Sequence, residues 1–77
     1  MYNTSIMNAI NEVKMLAAKK GLTLTYIAKY LSEHTDKNYT LDYLSKKLRH
    51  NTIRYSEMKI IAKALNMDLI FVENNNA

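Results

Sequence analysis

The sequence predicts an all-α domain of four helices, five at most, closed by one short C-terminal β-strand. Three observations predict it. Apolar residues recur at helical spacing in four stretches between residues 5 and 65. The chain has 77 residues, one glycine, no proline and no cysteine, so helix packing must build the core without disulfide or thiolate–metal staples. After Asn66 the pattern changes to an apolar run, Leu69-Ile70-Phe71-Val72, too short for a helix and too apolar for a loop. A chain of this length is one domain near the lower limit for independent folding, and pairing with a second copy would help it.

Each element follows from local chemistry. Residues 1–4 are expected to fray. Ser5 can cap a first helix over 5–20, in which Ile6, Ile10, Val13 and Ala17 form a stripe flanked by Ala9 and Leu16. Met15 points away from that stripe. Gly21 fits the left-handed position that stops the helix. Thr23 can cap a second helix over 23–33, with Leu24, Ile27, Ala28 and Leu31 inward; the small Ala28 lets another helix approach closely.

Residues 34–39 form an enlarged polar turn. In one version the second helix runs on to about Thr35 with His34 on its apolar side; in the other the segment is a separate loop. Asp36, Lys37 and Asn38 are expected to project into solvent. Thr40 can cap a third helix over 40–50. Leu41, Leu44 and Leu48 supply its core stripe, and Asp42, Tyr43, Lys46, Arg49 and His50 its opposite arc. After a connector from Asn51, a fourth helix covers 55–65 with Met58, Ile61, Ala62 and Leu65 inward and Ile60 outside the core arc. Ser56 can cap it, and Asn66 is a left-handed stop. The strand spans 68–73. Both its faces are apolar and its edges have no partner in the chain, which invites a second copy. A polar tail, 74–77, follows.

Charge is concentrated. From Lys46 to Lys63 there are six basic residues and one acid, a net +5, whereas the remainder of the chain carries −1. Such a segment is the electrostatic footprint expected for a polyanion. There is no Gly-rich phosphate loop, no apolar-set carboxylate pair, no nucleophile matched to a base and no metal-spaced ligand cluster, so neither an enzyme nor a cofactor is expected. His34 reads as a structural or surface residue. No apolar run approaches the roughly 18 residues of a membrane span, and no signal-peptide core is apparent, so the expected location is the cytoplasm.

The runs LTLTYIAKYL, YTLDYLSKKL and MKIIAKALNMDL together resemble the Cro/cI-type helix-turn-helix family, also called XRE, of lambda-repressor-like phage repressors and small bacterial regulators. The resemblance covers about residues 13–69. Its most specific parts are Leu-Thr ahead of Ile27-Ala28, the Leu44-Ser45 pair, and Ile61-Ala62-Lys63-Ala64-Leu65. About six residues around 33–38 are inserted relative to the family's short turn, Tyr39 takes the place of that turn's buried apolar residue, and the family places the fourth helix's cap nearer Arg54 than Ser56. The implied function is sequence-specific recognition of double-stranded DNA by a repressor-like transcriptional regulator, with helix 40–50 in the major groove.

Carried over by position, the resemblance puts Leu41, Asp42 and Lys46 toward base edges and Arg49 and Thr52 near phosphates. Residue chemistry adds Tyr43 to the base-facing set. It adds Thr40, Ser45, Lys47, His50, Asn51 and Arg54 as phosphate-facing donors. Leu41 replaces the family's usual glutamine, and its spacing turns it inward; Leu24 likewise replaces a glutamine. Asp42 can accept from cytosine N4 but repels phosphate. A homodimer is expected, with Ile60, Leu69, Ile70, Phe71 and Val72 as candidate seam. The competing reading is a protein-binding helix-turn-helix module, antitoxin-like or a phage-encoded inhibitor, acting on a protein partner.

Overall fold

The computed structural model describes residues 9–70, which form four α-helices: α1 (Ala9–Lys19), α2 (Leu24–Glu33), α3 (Leu41–Arg49) and α4 (Tyr55–Ala64). The predicted start of α1, including the Ser5 cap and Ile6, lies outside the described residues. Two of the predicted caps are formed as drawn: Thr23 accepts from the Tyr26 N–H at 3.2 Å and Thr40 from the Tyr43 N–H at 3.1 Å. α4 starts differently. Arg54, not Ser56, is its N-cap, and Glu57 reaches back to accept the Arg54 N–H at 2.7 Å, satisfying a donor that the helix itself leaves without a partner.

Three helices end in the same hand. The Leu22 N–H donates to the Ala17 carbonyl at 2.8 Å and the Gly21 N–H to Ala18 at 3.1 Å, a Schellman ending with Gly21 at φ 71°. Asn51 (φ 56°) and Asn66 (φ 58°) close α3 and α4 by the same pair of bonds. Asn66 is where the sequence put a stop; Asn51 is an additional one. A Cβ built at Gly21 would meet nothing within 4 Å, so the glycine is required by its dihedral and not by space. Gly21→Ala is therefore expected to cost about 1 kcal/mol and lower the melting temperature by about 4–8 °C. An unchanged melting curve would show that the strain is relieved elsewhere.

The core is one cluster. Ile10, Val13 and Ala17 of α1, Leu24, Ile27, Ala28 and Leu31 of α2, Leu44 and Leu48 of α3, and Ile61, Ala64 and Leu65 from α4 and its cap are buried around Tyr39. α2 lies centrally, packed on α3 and α4, while α1 packs on α3. Ile27, Leu31, Leu44 and Leu48 have no exposed surface. Truncation at any of these sites leaves a cavity in the only core the described residues share.

Three expectations need correcting. Leu41 does not join the α3 core stripe: it is 47% exposed, and Tyr39 supplies the buried side chain ahead of Leu44. With Tyr39 in the core, Leu41 is left bordering the groove it shares with Lys14 and the start of α2. Ile60, placed outside the core arc, is half-buried and packs against the core. The strand expected over 68–73 is not formed by residues 68–70, which have no regular secondary structure; Phe71, Val72 and Glu73 lie outside the described residues. A lone strand has no ladder partner in its own chain, and apolarity alone does not supply one. Among the described residues the class is all-α, with no strand and no helix long and apolar enough to cross a membrane.

α2 ends at Glu33, which decides between the two versions of the turn. His34 caps the end, its ring stacked on Tyr30 with centroids 4.0 Å apart and Nδ1 2.9 Å from the Tyr30 carbonyl. Asp36, Lys37 and Asn38 are exposed. The loop is closed at its base by Ser32, whose Oγ accepts the Tyr39 N–H at 2.7 Å and lies 3.0 Å from the Ala28 carbonyl to which it donates.

Candidate functional site

α3 is held by one side and open on the other. Leu44 and Leu48 fix it to the core, and its first turn is set by the Thr40 cap. That leaves Leu41, Asp42, Tyr43, Lys46, Arg49 and His50 exposed. Ser45 and Lys47, at the two edges of this surface, are half-buried.

The charges on this surface are not equivalent. Lys46 Nζ lies 3.5 Å from Asp42 Oδ2, and both side chains are well exposed, so the pair is a solvated i,i+4 contact worth only about 0.3–0.5 kcal/mol. It is easily exchanged for a stronger anion. Arg49 has no ion-pair partner among the described residues, and it ends the helix, where a cation also complements the backbone dipole.

Lys47 behaves differently. Its side chain is only 15% exposed; the ammonium sits 3.6 Å from Glu57 Oε2 and 5.3 Å from the centre of the Tyr43 ring. Glu57, 5% exposed, is the buried charged residue of the core region. It accepts the Tyr39 hydroxyl proton and the Arg54 N–H as well as facing Lys47. Burial alone would push the Glu57 carboxyl up, but the Tyr39 hydroxyl, the Arg54 N–H and Lys47 together outweigh it and hold the pKa below its ordinary value. Burial first, and then the hydrogen bond to and charge of Glu57, push the Tyr39 phenol well above its ordinary value. This network joins the residue before the α3 cap, the last turn of α3 and the first turn of α4.

The remaining sequence-derived positions surround the helix. Thr40 and His50 are its exposed caps. Thr52 Oγ1 donates to the Lys47 carbonyl at 3.3 Å, Asn51 Oδ1 lies 3.5 Å from the Ala9 N–H, and Arg54 is exposed at the start of α4. Lys59 and Lys63, counted in the +5 segment, border a different groove with Met67, Asp68 and Leu69, so the basic segment is divided between two regions. On the other side of α3, Leu41 and Ser45 share a groove of about 440 Å³ with Lys14 of α1 and with Leu22, Thr23, Leu24 and Thr25 around the start of α2. Lys14 and Thr25 were not singled out from the sequence; tertiary packing brings them to α3, and no local pattern signals it. Among the described residues, no group of three or more His, Asp or Glu side chains could hold a metal ion.

No protein-family model matches the chain, and neither a curated protein nor a solved structure is found similar to it.

Proposed function

We propose that the chain is a sequence-specific double-stranded DNA-binding regulator, repressor-like, with α2 and α3 as a helix-turn-helix of lambda-repressor type and α3 as the groove-reading helix. The observation that carries the reading is the outer face of α3. It is a continuous exposed strip of Asp42, Lys46, Arg49 and His50 on a helix whose other face is locked by Leu44 and Leu48. A rigidly seated helix with a donor-rich outer face is what base-edge recognition requires. Lys46 is the base-facing cation, able to donate to guanine O6 and N7, and Arg49 the phosphate clamp. Lys47, turned onto Glu57, positions the helix and has no role on phosphate in this proposal.

Mobility shift on DNA flanking the protein's own gene, at several salt concentrations, tests the reading. Affinity should fall steeply and log-linearly with salt, by a slope of about −0.9 per neutralised phosphate. Binding that ignores salt, or no shift on any duplex, removes DNA as the target.

A second reading, a protein-interaction module, draws on a different part of the surface. Val13, Leu16, Met58, Leu65, Met67 and Leu69 line an apolar groove between α1 and α4, and Ile70 beside it is 71% exposed. Within the DNA reading the homodimer seam is proposed through Leu69 and Ile70, with Ile60 as a further candidate; the other seam candidates, Phe71 and Val72, lie outside the described residues. Two copies would double the contacts on a palindromic site. Truncation after Asp68 should yield a folded monomer in sedimentation, and a persisting dimer would place the seam elsewhere.

A further inference from the structure

Leu41 stands out on the α3 surface. It opens the helix, directly after the Thr40 cap, and it is nearly half exposed among neighbours that are otherwise polar. It does not stand alone in water. The groove it borders has an apolar floor in Leu24, which is buried, and Leu22, which is half-buried, with the hydroxyl-bearing Thr23 and Ser45 beside them. Asp42 follows it directly, and Lys46 lies just over one turn further on. In the free chain this leucine leaves apolar surface in contact with water, at the leading end of the helix that would enter a DNA groove.

A major groove offers one apolar group to such a side chain. Among the base edges, hydrogen-bond donors and acceptors predominate, and the only methyl group is the C5-methyl of a pyrimidine, normally thymine. We propose that Leu41 is a specificity-determining residue that reads a thymine C5-methyl, closing it against the Leu22–Leu24 floor. The proposal rests on the DNA reading of α3 and deepens it: the site bound by this protein carries a thymine, one per half-site, whose methyl group contributes to affinity. Removing one buried methyl group from such a contact weakens binding by about fourfold.

The probe is a set of duplexes enriched from a randomised pool by the wild-type protein, with each thymine replaced in turn by deoxyuridine, which deletes only the methyl. Fluorescence anisotropy should show one thymine, or one symmetric pair, whose replacement weakens binding by about three- to tenfold. The same replacement should have no effect on Leu41→Ala or on Leu41→Gln, while both variants keep the wild-type melting temperature and salt slope. Cytosine and 5-methylcytosine placed at the sensitive position, each paired with guanine, form a further pair that differs only in the methyl; 5-methylcytosine should bind more tightly than cytosine, and equal binding would overturn the methyl as the group that is read. A methyl effect that persists in Leu41→Ala, or no methyl-sensitive position, overturns the role of Leu41 and leaves α3 binding intact. A chain that enriches no duplex and shows no salt-dependent binding overturns both.

Discussion

Replacing Glu57 by alanine is expected to destabilise the fold by about 3 kcal/mol, the low end for breaking a buried charge pair, because Lys47 retains some route to solvent. The mechanism is the loss of an acceptor and not of packing alone. The Tyr39 hydroxyl and the Arg54 N–H both donate to this carboxylate, and Lys47 faces it; truncation leaves a buried phenol, a helix-end N–H and a mostly covered ammonium without their partner. A chain of this size has a total stability of roughly 4–11 kcal/mol. The melting temperature should therefore fall by at least about 12 °C. A variant that melts within about 3 °C of wild type would show that water replaces the carboxylate and that the network contributes little.

The same residue sets the acid limb. Glu57 has its pKa lowered from the ordinary 4.5, so between the two values the unfolded chain binds the proton and the folded one does not. Its contribution is complete above 4.5 and is lost as pH falls through the lower folded value. Tyr39 gives the opposite sign at the alkaline end: the phenol is raised from 10.0, so the stability it contributes is complete below 10.0 and is lost as pH rises through the folded value. Denaturant midpoints measured across both ranges should show both limbs in wild type and a flatter acid limb in the Glu57 variant.

On DNA, Lys46→Ala should weaken the preferred site by about 1–3 kcal/mol, or roughly 5- to 150-fold, and relax discrimination at one base position. Arg49→Ala should weaken every sequence alike and reduce the salt slope by about one. The two effects differ because Lys46 donates to a base edge in this proposal, which carries sequence information, whereas Arg49 clamps a phosphate, which does not. Asp42→Asn frees Lys46 and removes a charge that repels phosphate, so it should raise affinity for unrelated DNA. Unchanged affinity in both alanine variants would take α3 out of the interface.

Much of this architecture was legible because it rests on local chemistry. The Thr23 and Thr40 caps, the Gly21 and Asn66 stops and the exposed 36–38 projection each follow from what a residue can do with its own backbone or in water. Leu41 was misplaced because i, i+3, i+7 spacing shows which residues share a face and not how far the core extends along it; Tyr39, outside the stripe, takes the buried place instead. Glu57 was counted only as the lone acid in a basic run. Its position three residues after the N-cap was a signal for the Arg54 contact, but no sequence pattern couples it to Tyr39, eighteen residues earlier, or to Lys47. Residues 68–70 have no regular secondary structure although their run is apolar, because hydropathy records burial tendency and says nothing of who pairs with an edge.

The Ser32–Tyr39 clasp bears on chain entropy. Closing a loop costs only about 0.6 kcal/mol more for each doubling of its length, so lengthening a short helix-pair connection by six or so residues forfeits well under 1 kcal/mol. One intramolecular hydrogen bond returns about that much, and Ser32 supplies one at the point where the loop rejoins the core. With its two ends tied at Ser32 and Tyr39, the segment between them is nearly neutral in free energy, and its length and composition are decoupled from the placement of α3.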